Sequence, residues 1–301
     1  MKRFSNKILF IALLVLAGAF VLTRVFRSPA RESNFNTDVL KIDTSRVDKI
    51  ILHPAADERK ELKLSKDSNA WKVSRDKVTA LANTDLIKTL LAKLGSLEPE
   101  RIVTRKKDKW NEYEVSDTTG TDVAVFSGNE EIAKIKVGKE NTGITFMRRT
   151  EEDEVYAVSG AVASSFNLKF NDWRDPSVLR ITKDGITRIT FNYPADSGFV
   201  LTRNEKTWMI DNIQTDSAKT ENYLNKLKLK EVTRFADDFT ANREPDVIMT
   251  IHTPAPFVIK GWKASFAHWI LTSDLQPGVY FSDDGNLVAN DIFPGKKSLL
   301  K

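Results

Sequence analysis

The three histidines are the residues best suited to metal binding or acid–base chemistry, but they lie far apart in the sequence. His53, His252 and His268 each lack a second histidine or a paired acid at the spacing that metal ligands require. The chain contains no cysteine, which excludes zinc-thiolate sites, disulfide bonds and thiol nucleophiles. We therefore expect neither a metal nor a cofactor.

An acidic stretch near the C-terminus, FSDDGN (281–286), weakly resembles a calcium-binding loop. It lacks the distal bidentate glutamate of that motif, so a hairpin turn built on Asp-Gly is the stronger interpretation. The motifs G-x-S-x-G, Walker A and G-x-G-x-x-G are absent, so the sequence shows none of the usual signatures of nucleophilic hydrolysis or nucleotide binding. We predict a protein that is not an enzyme, with an enzyme of unrecognised type as an alternative.

The net charge of +5 comes from the N-terminus rather than from the body of the chain. Six cations and no acidic residue lie within residues 1–31, so the remaining 270 residues sum to −1. A near-neutral body offers no electrostatic reason to bind nucleic acid. The basic run TRKKDKW (104–110) is predicted to be a solvated loop, with contact to an anionic lipid or polymer as the alternative.

The apolar segment ILFIALLVLAGAFVL, residues 8–22, carries no charge and has cations on both sides. It predicts a signal anchor that crosses the cytoplasmic membrane through residues 8–26, provided that flanking side chains snorkel. A signal peptide cleaved after Ala17-Gly18-Ala19 is the alternative. We place the N-terminus in the cytoplasm, so residues from about 34 onward are expected to be extracytoplasmic (periplasmic), anchored by one pass in the inner membrane.

The rest of the chain is similar to itself. VDKIILHPAAD (47–57) corresponds to ITRITFNYPAD (186–196), with Pro54 matching Pro194 at an offset of 140. The hairpins ELKLSKDSNAWKV and GFVLTRNEKTWMI follow, and they place Trp71 opposite Trp208 at an offset of 137.

A helix follows each hairpin. Asn83 or Thr84 can cap the first helix, which has apolar residues on one face, and Gly95 is suited to end it. Asp216 occupies the corresponding cap position of the second helix, at an offset of 133.

A meander of short strands completes each copy, with Asp122 matching Asp246 and Tyr156 matching Tyr280 at an offset of 124. The sequence thus predicts a β-rich α+β fold of two tandem modules, each a hairpin, a helix and an antiparallel meander, after one transmembrane helix. The expected boundaries are 1–33 for tail, anchor and tether, 34–175 for the first module and 176–301 for the second.

Aromatic residues shared by both copies are best explained by the fold that the copies share. Trp71, Trp208, Tyr156 and Tyr280 are therefore interpreted as packing residues and markers of the repeat, rather than as ligand platforms.

A specific site is more reasonably sought where the copies differ. The second meander contains GWKASFAHW, where the first has GKENTGITF. Trp262, Phe266, His268 and Trp269 form a candidate interaction surface, and ordinary packing of the second module is the alternative.

The order of these segments resembles a bacterial family, domain of unknown function 4340. The similarity runs through NTD, ERIV, VGKENTGITFMRR and VYAVSG, and it is most specific in WRDPSVLRI…ITRITF…W, from Trp173 to Trp208. The resemblance implies an envelope protein with a single N-terminal anchor. A similar domain forms the extracytoplasmic part of an auxiliary subunit of gliding-motility ABC transporters, although this chain lacks the further domain and multiple spanning helices expected there.

The resemblance carries over no catalytic residues. We expect a non-enzymatic membrane protein that binds a membrane or envelope protein partner, as an auxiliary component of an ABC-type transporter or another envelope assembly. A binding module for an envelope glycan or lipid is the alternative.

Overall fold

The computed structural model describes residues 37–194 and 197–301, together with positions 13, 15 and 16. The expected anchor at residues 8–26 therefore lies almost entirely outside the described residues. Within the described parts of the chain, no helix is both long enough and apolar enough to cross a membrane.

The first sheet is antiparallel and has nine strands in the order β4-β3-β2-β1-β6-β7-β8-β9-β5. Its strands are β1 (Lys49–His53), β2 (Leu62–Asp67), β3 (Ala70–Arg75), β4 (Val78–Leu81), β5 (Pro99–Thr104), β6 (Thr121–Ser127), β7 (Glu130–Asn141), β8 (Ile144–Arg149) and β9 (Val155–Ser159).

The second sheet has eight strands in the order β14-β13-β12-β11-β16-β17-β18-β19, and β10 pairs separately with β15. These strands are β10 (Ser177–Arg180), β11 (Arg188–Asn192), β12 (Phe199–Asn204), β13 (Thr207–Ile210), β14 (Ile213–Gln214), β15 (Leu229–Glu231), β16 (Val247–His252), β17 (Phe257–Ser265), β18 (His268–Ser273) and β19 (Phe281–Asp284).

Five α-helices occur among the described residues: α1 (Thr84–Gly95), α2 (Ala163–Phe166), α3 (Phe170–Trp173), α4 (Ser217–Lys226) and α5 (Leu287–Ile292). The predicted caps are confirmed. The Asn83 side chain accepts hydrogen bonds from the amides of Asp85 and Leu86, and Asp216 accepts one from Lys219. Each cap satisfies amides that the first turn of a helix leaves unpaired. The fold is therefore β-rich α+β, as the sequence predicts.

One continuous apolar core joins the two sheets. Alternate residues of the central strands enter it, such as Ile50 and Leu52 on β1 and Ile189 and Phe191 on β11. The buried face of α1 enters the same core. Alternation along a strand places the intervening residues on the opposite side of each sheet, which we call the outer face.

The WRDP stretch links the parts of this core. The Trp173 carbonyl accepts from the Asn83 amide at 2.7 Å, and the Asp175 amide donates to Leu81 at 2.8 Å, so the stretch extends the β4 edge of the first sheet. From the other side, the Gln276 side chain donates to the Asp175 carbonyl at 2.9 Å. The most specific part of the family resemblance is therefore a structural junction between the sheets.

Candidate functional site

Four polar side chains form a row across the outer face of the first sheet. His53 on β1 is paired with Asp122 on β6, Asp122 with Lys136 on β7, and Lys136 with Arg148 on β8. Adjacent strands lie about 4.8 Å apart, so the row is roughly 14 Å long. We call these residues the polar row.

Asp122 is the centre of the row because its carboxylate pairs with two basic side chains. Its carboxylate forms ion pairs with Lys136 and with Arg59. The Lys136 side chain is only 3% exposed, so this ion pair compensates a charge that would otherwise be buried alone. Arg59 also donates to the carbonyls of Gly120 and Asp117, which fastens the loop before β6 to the sheet.

Arg59 is held by an unusual turn. Glu58 and Arg59 both have φ of 56°, in the left-handed region that residues other than glycine rarely adopt. Two consecutive residues of this kind cost free energy that the surrounding contacts must offset. The turn directs Arg59 onto Asp122 rather than into solvent.

Arg148 ends the row beneath a segment that we call the first cap, residues 105–120 between β5 and β6. Its guanidinium donates to the carbonyls of Val115, Thr150 and Glu152 at 3.0 to 3.2 Å. The Trp110 ring covers it, with 3.7 Å between the ring centroid and Cζ. Burial lowers the pKa of Arg148, and the carbonyl ring around it compensates the loss of water.

The first cap has a small apolar core of its own. Tyr113 and Val115 pack against Phe146, Val155 and Ala157 on the outer face. The predicted solvated loop at 104–110 is therefore partly packed, since Trp110 belongs to this core and its indole nitrogen donates to the Asp153 carbonyl at 3.2 Å. Strands β8 and β9 are consequently buried on both faces.

A groove of about 480 Å³ opens beside the first cap. Ile51, Ala124 and Phe126 form an apolar floor, and three members of the polar row, His53, Asp122 and Lys136, form one wall. Lys134, at the opposite side, has no ion-pair partner among the described residues. Such a groove can bind a ligand or a protein segment that has an apolar part and charged groups of both signs.

One further depression, of about 510 Å³, shares Glu61 with the groove and extends it along the same face. Together they reach from β3 to β7. Five neighbouring strands span roughly 19 Å, which suits an elongated partner.

The second sheet presents different chemistry at the corresponding pairs. Asn192, Ile248, Lys260 and Thr272 form its equivalent row in register from β11 to β18. Three of the four are uncharged, and next to them Thr190 is paired with Thr250. The polar row is therefore particular to the first sheet.

The aromatic residues predicted as an interaction surface are not brought together. Trp262 is 4% exposed and lies on the outer face, beneath a second cap formed by residues 232–246. Its indole nitrogen donates to the Arg243 carbonyl at 3.0 Å, and Phe239 and Tyr280 lie within 6 Å of its ring centroid. Trp262 therefore packs against residues of its own chain.

The other three candidate residues lie elsewhere. Trp269 is on the core side of β18, where its ring centroid is 5.8 Å from that of Phe293. Phe266, at the turn between β17 and β18, is 89% exposed. His268 is half-buried, with Nε2 2.9 Å from the Ser282 hydroxyl and 3.4 Å from Asp284. Strand alternation separates the two tryptophans onto opposite faces.

The repeat markers also divide between the faces. Trp71 and Trp208 both face the shared core, and their carbonyls accept from Ala82 and Thr215 respectively. Tyr156 faces the core as well, whereas Tyr280 packs beneath the second cap.

The acidic stretch 281–286 forms a turn into a helix rather than a hairpin. The Asp283 carboxylate accepts from the amides of Val288 and Ala289, at 3.1 and 2.7 Å, in the first turn of α5. It therefore compensates unpaired helix amides. Among the described residues, no group of three or more histidine, cysteine, aspartate or glutamate side chains is arranged to hold a metal.

The fold and groove together define a two-sheet β-rich protein with a polar groove on one sheet. The chain belongs to the family described as "Domain of unknown function (DUF4340)", which matches residues 71–247. This confirms the family that the sequence resembles. No curated protein and no solved structure matches the chain.

The polar row carries no local sequence signal. Its members are 12 or more residues apart and each reads as an outward-facing residue of an alternating strand. The contrast between Asp122 and Ile248 could have indicated it, but only with the strand register known.

Proposed function

We propose that this protein is a non-enzymatic, extracytoplasmic binding protein, and that the groove on the outer face of the first sheet contacts its partner. The observation that carries the proposal is the polar row with its apolar floor, present on one sheet and replaced by mostly uncharged residues on the other. A shared fold does not require this difference, so it favours a specific role for the first sheet.

The location rests on the sequence. Residues 8–26 are apolar and flanked by cations, which supports a single anchor in the cytoplasmic membrane with residues from about 34 onward outside it. The resemblance described above supports a partner in an ABC-type transporter or another envelope assembly.

We further propose that residues 34–175 and 176–301 are tandem copies of one module. The strand order β4-β3-β2-β1-β6-β7-β8-β9 corresponds to β14-β13-β12-β11-β16-β17-β18-β19. The N-terminal cap residues of the two longest helices give independent support. The backbone amide of each donates to a carbonyl near the end of its own module, Asn83 to Trp173 and Asp216 to Leu299. In this view one copy keeps the scaffold and the other has acquired the groove.

Photocrosslinking of the full chain in native membranes tests the groove. A photoreactive phenylalanine analogue is placed at Ile51 or Ala124, which are paired on the groove floor. Thr190 and Thr250, paired in the same way on the second sheet, provide matched controls. We expect a defined envelope protein to be captured from the groove positions and not from the control positions.

Equal capture from both sheets, or no capture from either, would contradict the proposal.

An envelope glycan or lipid is the second candidate ligand, favoured by the aromatic ring of Phe126 on the groove floor. In that case the groove positions would crosslink to glycan or lipid, and those fractions would raise the melting temperature of the protein.

A further inference from the structure

Phe266 and Leu287 are the two most exposed large apolar side chains among the described residues, at 89% and 75%. Phe266 lies in the turn between β17 and β18, and Leu287 begins α5. Neither residue belongs to the groove or to a cap. Exposed apolar side chains that lie together are unusual on a soluble surface and indicate an interaction.

Hydrogen bonds connect the two turns that carry these residues. The Gly285 amide donates to the Ala267 carbonyl at 2.7 Å, and the Asn286 side chain donates to the Phe266 carbonyl at 3.0 Å. Gly285 and Asn286 have φ of 88° and 58°, which makes a sharp turn before Leu287. We call Phe266 and Leu287 the apolar tip.

A cation accompanies the apolar tip. The Lys263 ammonium lies 5.9 Å from the centroid of the Phe266 ring, and among the described residues it forms no ion pair within 4 Å, although its charge acts at longer range on Asp246. The nearby Asp284 is already paired with Arg234. An apolar side chain flanked by a lysine suits the boundary between acyl chains and phosphate headgroups.

We infer that the apolar tip inserts into the surface of the lipid bilayer, with Lys263 at the phosphate level. A bilayer requires only protruding apolar side chains, whereas a stable protein interface buries roughly 800 Å² on each partner. The inference rests on the proposed membrane anchor. Residues 23–36 can extend to roughly 48 Å, while a body of this size has a radius of gyration of about 18 Å, so the tether lets this surface reach the membrane.

The absence of cysteine makes a site-specific test direct. The variants Phe266→Cys and Leu287→Cys are labelled with an environment-sensitive fluorophore in the full chain, reconstituted in nanodiscs of phosphatidylethanolamine and phosphatidylglycerol. Ile213→Cys, at an apolar residue that is 56% exposed on the second sheet, is the matched control. We expect a blue shift and quenching by nitroxide-labelled lipid at positions 266 and 287, and neither at 213.

Two outcomes would overturn the inference. Emission at 266 and 287 that matches position 213 would show that the tip stays in water. A blue shift without nitroxide quenching would show contact with protein, including a second copy of the chain. Flotation of the same samples reports the anchor separately, so failure of the proposed membrane location is distinguished from failure of the tip to insert.

Discussion

The Trp110 ring covers the guanidinium of Arg148, with 3.7 Å between the ring centroid and Cζ, and Arg148 is 1% exposed. The guanidinium is shielded from water by the indole ring, and backbone carbonyls accept the hydrogen bonds that water would otherwise accept. This contact fastens the first cap to the sheet.

Trp110→Ala should therefore loosen the first cap. We expect a loss of about 2 to 3 kcal/mol in the free energy of unfolding, from lost apolar contact and the lost cation–π interaction, as measured by urea denaturation. Trypsin should also cleave faster within residues 105–109. Trp110→Phe is the control and should retain most of the stability. Equal stability of the alanine variant and the wild type would show that the cap does not depend on this ring.

Asp122→Asn should destabilise the protein by about 3 kcal/mol, because it leaves Lys136 buried beside a neutral partner. The double variant Asp122→Asn, Lys136→Met should recover much of that loss, since it removes the unpaired charge. Chemical denaturation of both single variants and the double variant measures the coupling. Additive effects would mean that the two side chains act independently.

Gly138→Ala tests the fit of the first cap. A Cβ at Gly138 would lie 2.2 Å from the Tyr113 carbonyl oxygen, so the backbone of the cap would have to move. We expect a loss of about 1 to 3 kcal/mol in thermal or urea unfolding. Gly185→Ala, whose Cβ would meet its nearest atom at 3.9 Å, should change stability much less. Similar effects at both sites would argue against a steric cause.

The second cap should depend on pH through Asp246. A hydrogen bond from Arg243 holds the pKa of Asp246 below its usual range, and the Lys263 amide donates to the same carboxylate. The pKa is lower in the folded state than in the unfolded state, so its stabilising contribution is present above about pH 4 and is lost as the pH falls through the folded pKa.

Asp246→Asn should thus be less stable than the wild type at pH 7, and the difference should shrink as the pH falls below about 4. Urea denaturation across this range measures it. Asp238→Asn, at an exposed carboxylate of the same cap, is the control and should follow the wild type. A difference that stays constant with pH would mean that asparagine at position 246 destabilises the protein for steric reasons, and not because the carboxylate charge is lost.

Local patterns in the sequence determined the two longest helices, their N-terminal cap residues and the strands of the hairpins. Asn83 and Asp216 are cap residues because their side chains can bond the amides that follow them, and no distant contact is needed for that. The alternation in ELKLSKDSNAWKV likewise predicts β2 and β3. The family was recognisable for the same reason, since its motifs are continuous in the chain.

Tertiary structure decided which residues meet. The Pro54–Pro194 offset of 140 would match buried Leu52 to exposed Asn192, whereas the buried pairs Ile50, Ile189 and Leu52, Phe191 require 139. A shift of one residue moves every side chain of a strand to the opposite face, so strand register determines what each residue contacts. That register assembled the polar row from four strands and separated Trp262 from Trp269.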